Sequence, residues 1–204
     1  MAKDNSVREK YTTGKGELTG YVGLFKPSTQ YDSYSANILL SREEGVELLK
    51  KLEDIRKQQF RLFGKGSSLK EITQCKPFAH IDEETLETTP DPQGRYILKA
   101  SAKGYSKDGV PDYVIRVFDS KQKPVKEVSV GAGTTAKLAV ELQGYTRGGV
   151  TGVSVRLRAV QIIDLVEYEN NTAASYNFDE EEGSFEASDE TMPWEEPDNA
   201  EENF

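Results

Sequence analysis

The chain has 204 residues, of which 26 are basic and 35 acidic, for a formal net charge of -9 at pH 7; that length suits one domain with appendages rather than two large domains. Cys75 and His80 are the sole cysteine and histidine, which excludes a disulfide framework and a multi-cysteine zinc site and leaves little basis for a Ser-His or Cys-His catalytic arrangement. No apolar stretch approaches the ~18 residues of a membrane helix, and Met1 to Lys10 is too polar for a signal peptide, so a soluble protein of a reducing interior, without membrane contact, is expected.

Residues 1–16 show no periodicity and read as a flexible basic arm. The domain proper, 17–169, opens with LTGYVGLF at Leu18 to Phe25, a strand ended by Lys26-Pro27. A second strand follows over Tyr31 to Leu40. Ser41, with Glu44 three residues on and apolar residues at Val46, Leu49, Leu52 and Ile55, makes a capping box that opens an amphipathic helix over about Arg42 to Phe63. Leu48, Phe60, Leu62 and Phe63 broaden its apolar face, and Gly64 stops it. Between Gly64 and Gly94 the chain reads as loop with one short strand near Gln74 to Phe78. Strand-like runs then cover Arg95 to Lys103, Tyr113 to Phe118, Val125 to Val130, Thr135 to Tyr145 and Gly152 to Tyr168, separated by turn signals such as Gly131-Ala132-Gly133 and Gly148-Gly149. Several strands at short spacing with one helix predict a mainly β fold, a small antiparallel barrel or sandwich.

Nothing in the chain has the make-up of a catalytic or cofactor site. The glycines from Gly14 to Gly20 have the wrong spacing for a dinucleotide loop, and Gly64-Lys65-Gly66-Ser67 lacks the ending of a phosphate loop. The carboxylates of IDEETLE, beginning at Ile81, match no Ca²⁺ loop and have no second cluster to work with. A non-enzyme with no metal and no cofactor is expected.

Strand faces are more informative, because side chains alternate with period two. Along Arg95 to Tyr105, the residues Tyr96, Leu98, Ala100 and Ala102 form an apolar set, while Arg95, Lys99, Lys103 and Tyr105 fall with Ile97 on the other face. Along Gly152 to Val160, the apolar set is Val153, Val155, Leu157 and Ala159, with Arg156 and Arg158 opposite. Two strands thus carry cations on the side away from the core. Unpaired nucleic acid needs cations along its phosphates and aromatic rings under its bases, and Tyr31, Tyr34, Tyr105, Tyr113 and Tyr145 lie in or beside strands. Each such residue taken singly could equally be a solvated cation or a tyrosine at the core edge.

The net charge conceals a split. Residues 171–204 hold 12 acidic and no basic residues, so residues 1–170 hold 26 basic and 23 acidic, a net of +3. Such a run cannot bury enough apolar surface to offset its ordering entropy, and 170–204 is expected to be a disordered tail. Its bland reading is solubility. Its sequence, EGSFEASDETMPWEEPDNAEENF, also interleaves acids with Phe185, Met192, Trp194 and Phe204, rings that solubility does not need. Acids that steer and rings that anchor suit a segment that docks on basic pockets of partner proteins, or that lies in the protein's own basic groove as a polyanion mimic.

The stretches YVIRVFDSKQKPV and VGAGTTAKLAVELQGYTRGGVTGVSVRLRAVQIIDLVEY resemble the C-terminal half of the OB-fold in podovirus-type bacteriophage replicative single-stranded DNA-binding proteins. The start MAK, the early GYVGLFKP, one helix after the second strand and an acidic tail ending in phenylalanine extend the resemblance over essentially the whole chain. It implies an OB-fold barrel that binds single-stranded DNA in replication, recombination and repair, in the cytoplasm of an infected bacterial host. It implies a tail that contacts the replicative DNA polymerase and helicase-primase, and strand annealing; a homodimer is one assembly open to it. It places Tyr145 as a base-stacking ring, Lys3 in the basic arm and Phe204 as the terminal aromatic, though the tail is shorter than in the most acidic members and Asn203 stands where an Asp often precedes the Phe. The candidate DNA-binding residues are then Lys3, Tyr34, Arg95, Lys99, Lys103, Tyr105, Tyr113, Tyr145, Arg147, Arg156 and Arg158, and the protein-contacting ones Trp194, Glu201, Glu202 and Phe204. Two other classes fit the composition, a β-sandwich virion assembly protein and an acidic chaperone or nucleic-acid mimic.

Overall fold

A computed structural model describes residues 6–28, 30–81, 87–104 and 114–167. They form strands β1 (Arg8–Thr12), β2 (Gly16–Leu18), β3 (Gly23–Ser28), β4 (Ser33–Leu40), β5 (Ser68–Leu69), β6 (Cys75–Pro77), β7 (Ala79–Ile81), β8 (Thr88–Pro90), β9 (Tyr96–Lys103), β10 (Arg116–Phe118), β11 (Thr135–Arg147) and β12 (Val150–Asp164). One helix, α1 (Arg42–Phe63), lies between β4 and β5.

The longest element is the β11–β12 hairpin, paired from Arg147 opposite Val150 outward. Its turn, Gly148-Gly149, has φ of +59° and +73°, the double positive φ that a tight two-residue hairpin requires and that a side chain would oppose. On its other edge β12 pairs in parallel with β9, Arg156 opposite Ser101. β9 pairs with β4 from Lys103 opposite Ser33 to Tyr96 opposite Leu40, β4 with β2, and β2 with β11. The strands β2, β4, β9, β12 and β11 therefore close a ring of OB type. The expected all-antiparallel character is corrected at one place: β12 runs parallel to β9, β5 and β10.

Every second residue of these strands points into the ring, where Leu18, Ile38, Leu40, Leu98, Leu138, Leu142 and Leu157 are fully buried. The helix occupies the predicted span. Its buried side, Leu48, Leu52, Ile55 and Gln59, packs on β11, β12, β9 and β6. Ser41 Oγ accepts from Glu44 N at 3.2 Å, half of the expected capping box. The other half is diverted: Glu44 Oε1 accepts from Gly14 N at 2.7 Å and from Tyr11 Oη at 3.0 Å, fastening the helix start to the N-terminal strands. Val46, Phe60, Leu62 and Phe63 are exposed rather than part of the apolar face: Val46 lies off the buried line of Gly45, Leu48, Leu52, Ile55 and Gln59, and no helix residue after Gln59 is buried.

Several boundaries differ from the sequence reading. The second half of the supposed arm is β1, in register with β11 from Arg8 opposite Gln143 to Thr12 opposite Ala139. Thr13 continues the contact, donating N to Leu138 O and accepting Leu138 N on Oγ1, both at 2.9 Å. Four of the five β1 residues are exposed, so the strand shows no apolar period, which is why it read as an arm. The run Leu18 to Phe25 is broken into β2 and β3, and β3 continues through Pro27 to Ser28, as an edge strand permits. The loop between Gly64 and Gly94 holds the short pairings of β5 and of β7 with β8, and Val125 to Val130 forms no strand.

Gln59 shows how the N-terminal segment is held. It is fully buried; Oε1 accepts from Val7 N at 2.9 Å and Nε2 donates to Thr146 Oγ1 at 3.3 Å. Thr146 Oγ1 lies 3.0 Å from Thr151 Oγ1, which lies 2.6 Å from Ser67 Oγ, so one chain of polar groups joins the helix to both sides of the hairpin. Gln59→Leu keeps the volume but takes away the acceptor of Val7 N and cuts the link from the helix to Thr146; it is expected to cost about 1–3 kcal/mol in a denaturant titration.

Candidate nucleic-acid interface

Residues directly opposite on antiparallel strands share a face, so the register fixes what lies outside the ring. One line runs across the sheet from Lys10 to Glu141, Arg156, Ser101 and Ser35, on β1, β11, β12, β9 and β4. Two residues along from these positions, on the same face, stand Arg8, Gln143, Ser154, Lys99, Lys103 and Ser33, with Tyr145 and Arg147 further along β11. The two basic strands picked out by period-two alternation are thus neighbours. Their parallel seam forms a groove of about 470 Å³ lined by Ser101, Lys103, Ser154, Arg156 and Arg158. Lys99, Lys103, Arg147 and Arg156 are exposed.

Tyr145 is half-buried, with its ring laid over the outer side of its hairpin partner Gly152: a Cβ there would come within 2.5 Å of Tyr145 Oη. The absence of a side chain at Gly152 lets the ring lie against backbone and present its remaining surface outward. A base can stack on such a platform while the neighbouring cations meet its phosphates.

Arg158 lies in the groove on a β-bulge. Ala139 pairs with Ala159 while Val140 pairs with Leu157, so Arg158 has no counterpart. The bulge reverses the alternation beyond it: Val160 and Ile162 are buried, and Ala159 turns outward instead of joining the apolar set. Arg158 Nη2 is 3.0 Å from Glu141 Oε2, and Arg8 Nη1 is 3.5 Å from Glu141 Oε1, so this acid holds two of the cations in place.

Two candidates are corrected. Tyr34 is a core residue, 4% exposed, and presents no face to a base. Arg95 does not share the groove; it clamps Asp91, with Nη2 to Oδ1 at 2.9 Å and Nε to Oδ2 at 3.2 Å, with Glu17 at 3.6 Å and the Phe78 ring beneath it. Alternation placed it on the outer face, but its position just before β9 turns it toward the loop that carries Asp91. Lys3, Tyr105, Tyr113, Trp194, Glu201, Glu202 and Phe204 lie outside the described residues. The sequence reading missed Arg8 and Lys10, which only their pairing with β11 brings to this face. It also passed over Tyr21, in a loop, which is 63% exposed.

The one thiol, Cys75, is buried and pushed up to about 12 by that burial, with Glu44 adding to it, so it stays protonated and inert.

No family model matches the sequence, and no curated protein matches it. Among solved structures the chain is similar to gp2.5, a single-stranded DNA-binding protein encoded by bacteriophage T7, with a TM-score of 0.56 and 14% identity over 89% of this chain and 100% of that one. It is also similar to the single-stranded DNA-binding protein from bacteriophage Enc34 in complex with ssDNA, with a TM-score of 0.46 and 15% identity over 82% of this chain and 91% of that one. The first likeness establishes a shared fold.

The Arg95 clamp makes a pH prediction. Its hydrogen bonds hold the buried Asp91 carboxyl well below the usual carboxylate range, with His80 Nε2 assisting at 3.0 Å. A depressed folded pKa contributes stability that is complete above the ordinary aspartate value near 4 and is lost as the pH falls from there toward the lowered one. Asp91→Asn is expected to reduce stability at neutral pH and to flatten the acid limb of a plot of denaturation midpoint against pH.

Proposed function

We propose that this chain is a single-stranded DNA-binding protein without sequence preference, coating unpaired strands in phage DNA replication, recombination and repair. The observation that carries the reading is the β9–β12 seam, which sets Lys99, Lys103 and Arg156 beside a groove whose outer face also bears Tyr145 and Arg147. The fold shared with the T7 protein, itself a single-stranded DNA-binding protein, supports it.

Cations along the seam bind phosphates, which every sequence offers alike, and the Tyr145 ring binds any base by its π-face. The seam has no row of amides or carboxylates that would read base edges, so the recognition is of an unpaired strand rather than of a sequence. Lys3, Tyr105 and Tyr113 would extend the contact. The acidic residues 170–204 supply the second activity: they recruit the replicative polymerase and helicase-primase, with Trp194 and Phe204 as anchors and Glu201 and Glu202 as steering charges, and they compete with phosphate for the groove. The site of action is the cytoplasm of the infected host. Because the DNA reading assigns work to the body and the chaperone reading only to the tail, tail removal separates them.

Arg156→Ala is expected to weaken binding to oligothymidylate and to reduce the slope of log K against log salt by about 0.7, one phosphate's share on a single strand. An affinity indifferent to salt would remove the groove from consideration. Removing the residues after Ser184 is expected to tighten DNA binding while abolishing capture of the polymerase or helicase, and Phe204→Ala to impair capture alone. Weaker DNA binding after truncation would contradict the competition.

A further inference from the structure

The outer face carries a second ring laid over a glycine, at the end away from Tyr145. Gly23 on β3 is opposite Ser35 on β4, which is opposite Ser101 on β9, which is opposite Arg156 on β12. The line through the groove therefore ends at Gly23, whose missing side chain points outward like that of Ser35. A Cβ at Gly23 would come within 2.9 Å of Tyr21 Cε1, so the Tyr21 ring covers the outer side of this glycine as Tyr145 covers Gly152. Beside the ring opens a cleft of about 620 Å³, with apolar side chains of Val22, Leu24, Phe25, Val128 and Val130 in its walls. Lys26 and Glu127 meet at its edge at 3.2 Å.

We propose that Tyr21 and this cleft form a second base-binding subsite for the same single strand, a deepening that rests on the DNA-binding reading above. A tyrosine 63% exposed, with one side of its ring against the Gly23 backbone and a partly apolar cleft beside it, has the form of a stacking platform rather than of a core residue. The spacing also fits. Three inter-strand steps and four residues along β12 separate Gly23 from Gly152, roughly 14 Å by roughly 13 Å, or about 20 Å in all. At about 3.4 Å per stacked nucleotide that is about six nucleotides, within the range one OB-fold covers. One strand then reaches from the Tyr145 platform, over the cationic seam, to the Tyr21 platform.

The test uses the full chain and oligothymidylates of about four and about twelve nucleotides, chosen to fall short of and to exceed the about six nucleotides between the two platforms, both within the range of an OB-fold site. Tyr21→Ala is expected to leave the short oligonucleotide's affinity unchanged and to weaken the long one roughly 5- to 100-fold, the loss of one stacked base, with the salt slope unaltered. Tyr21→Phe, which keeps the ring, is expected to bind both as the wild type does, while Tyr145→Ala weakens both. Replacing single thymidines of the long strand by abasic residues should find one position that costs the wild type the same factor and costs Tyr21→Ala nothing. Equal loss for both lengths, or no loss for either, overturns the subsite while leaving the Tyr145 groove intact. Failure of the wild type to bind either length would overturn the DNA-binding reading itself, and the subsite with it.

Discussion

The function depends on one seam. β9 pairs with β4, and β12 belongs to the hairpin with β11; nothing local in sequence joins β9 to β12. Their parallel pairing, at Arg156 opposite Ser101, closes the ring and at once puts Lys99 and Lys103 across from Arg156 and Arg158. Burial of the Leu and Val residues inside the ring drives that closure. Bringing like charges together opposes it by about 1 kcal/mol per close pair in water, which a core of this size easily outweighs. The residual repulsion is relieved by any polyanion lying between the cations. Glu141 relieves part of it from within, holding Arg158 and Arg8.

The division of labour among chemically identical residues follows from geometry. Arg95 and Arg156 fall alike on the polar phase of the sequence alternation, yet Arg95, just before β9, is engaged with a buried carboxylate and Arg156, within β12, faces solvent. Tyr34 and Tyr145 are both strand tyrosines, one inside the barrel and one laid across a glycine outside it. Tyr11 has a third fate: burial raises its phenol pKa, Glu44 raises it further, and the hydroxyl serves as a permanent donor that secures the helix.

Much of the fold is legible in the chain because the signals are local. Ser41 and Gly64 bracket the helix to the residue, Gly148-Gly149 marks the hairpin, and alternation separates the faces of β9 and of β12 as far as Leu157. The rest depends on contacts distant in sequence. The bulge at Arg158 exists because β11 and β12 must coil together in a closed ring, and no residue type announces it. β1 is polar in sequence and becomes a strand through the edge that β11 offers. At the candidate site, alternation identifies the cations of β9 and β12, but only pairing makes them neighbours, adds Arg8 and Lys10, and removes Arg95 and Tyr34. Tyr21 is invisible to strand reasoning since it lies in the break between β2 and β3.

Ring closure has a further effect on behaviour at high concentration. A sheet that closes on itself keeps few unpaired ladders for another copy to extend, and three of the outlying strands carry features that discourage such pairing. β1 carries Arg8, Glu9 and Lys10, while β3 and β6 are interrupted by Pro27 and Pro77. Copies crowded together can therefore stay distinct folded units instead of fusing into a continuous β-structure.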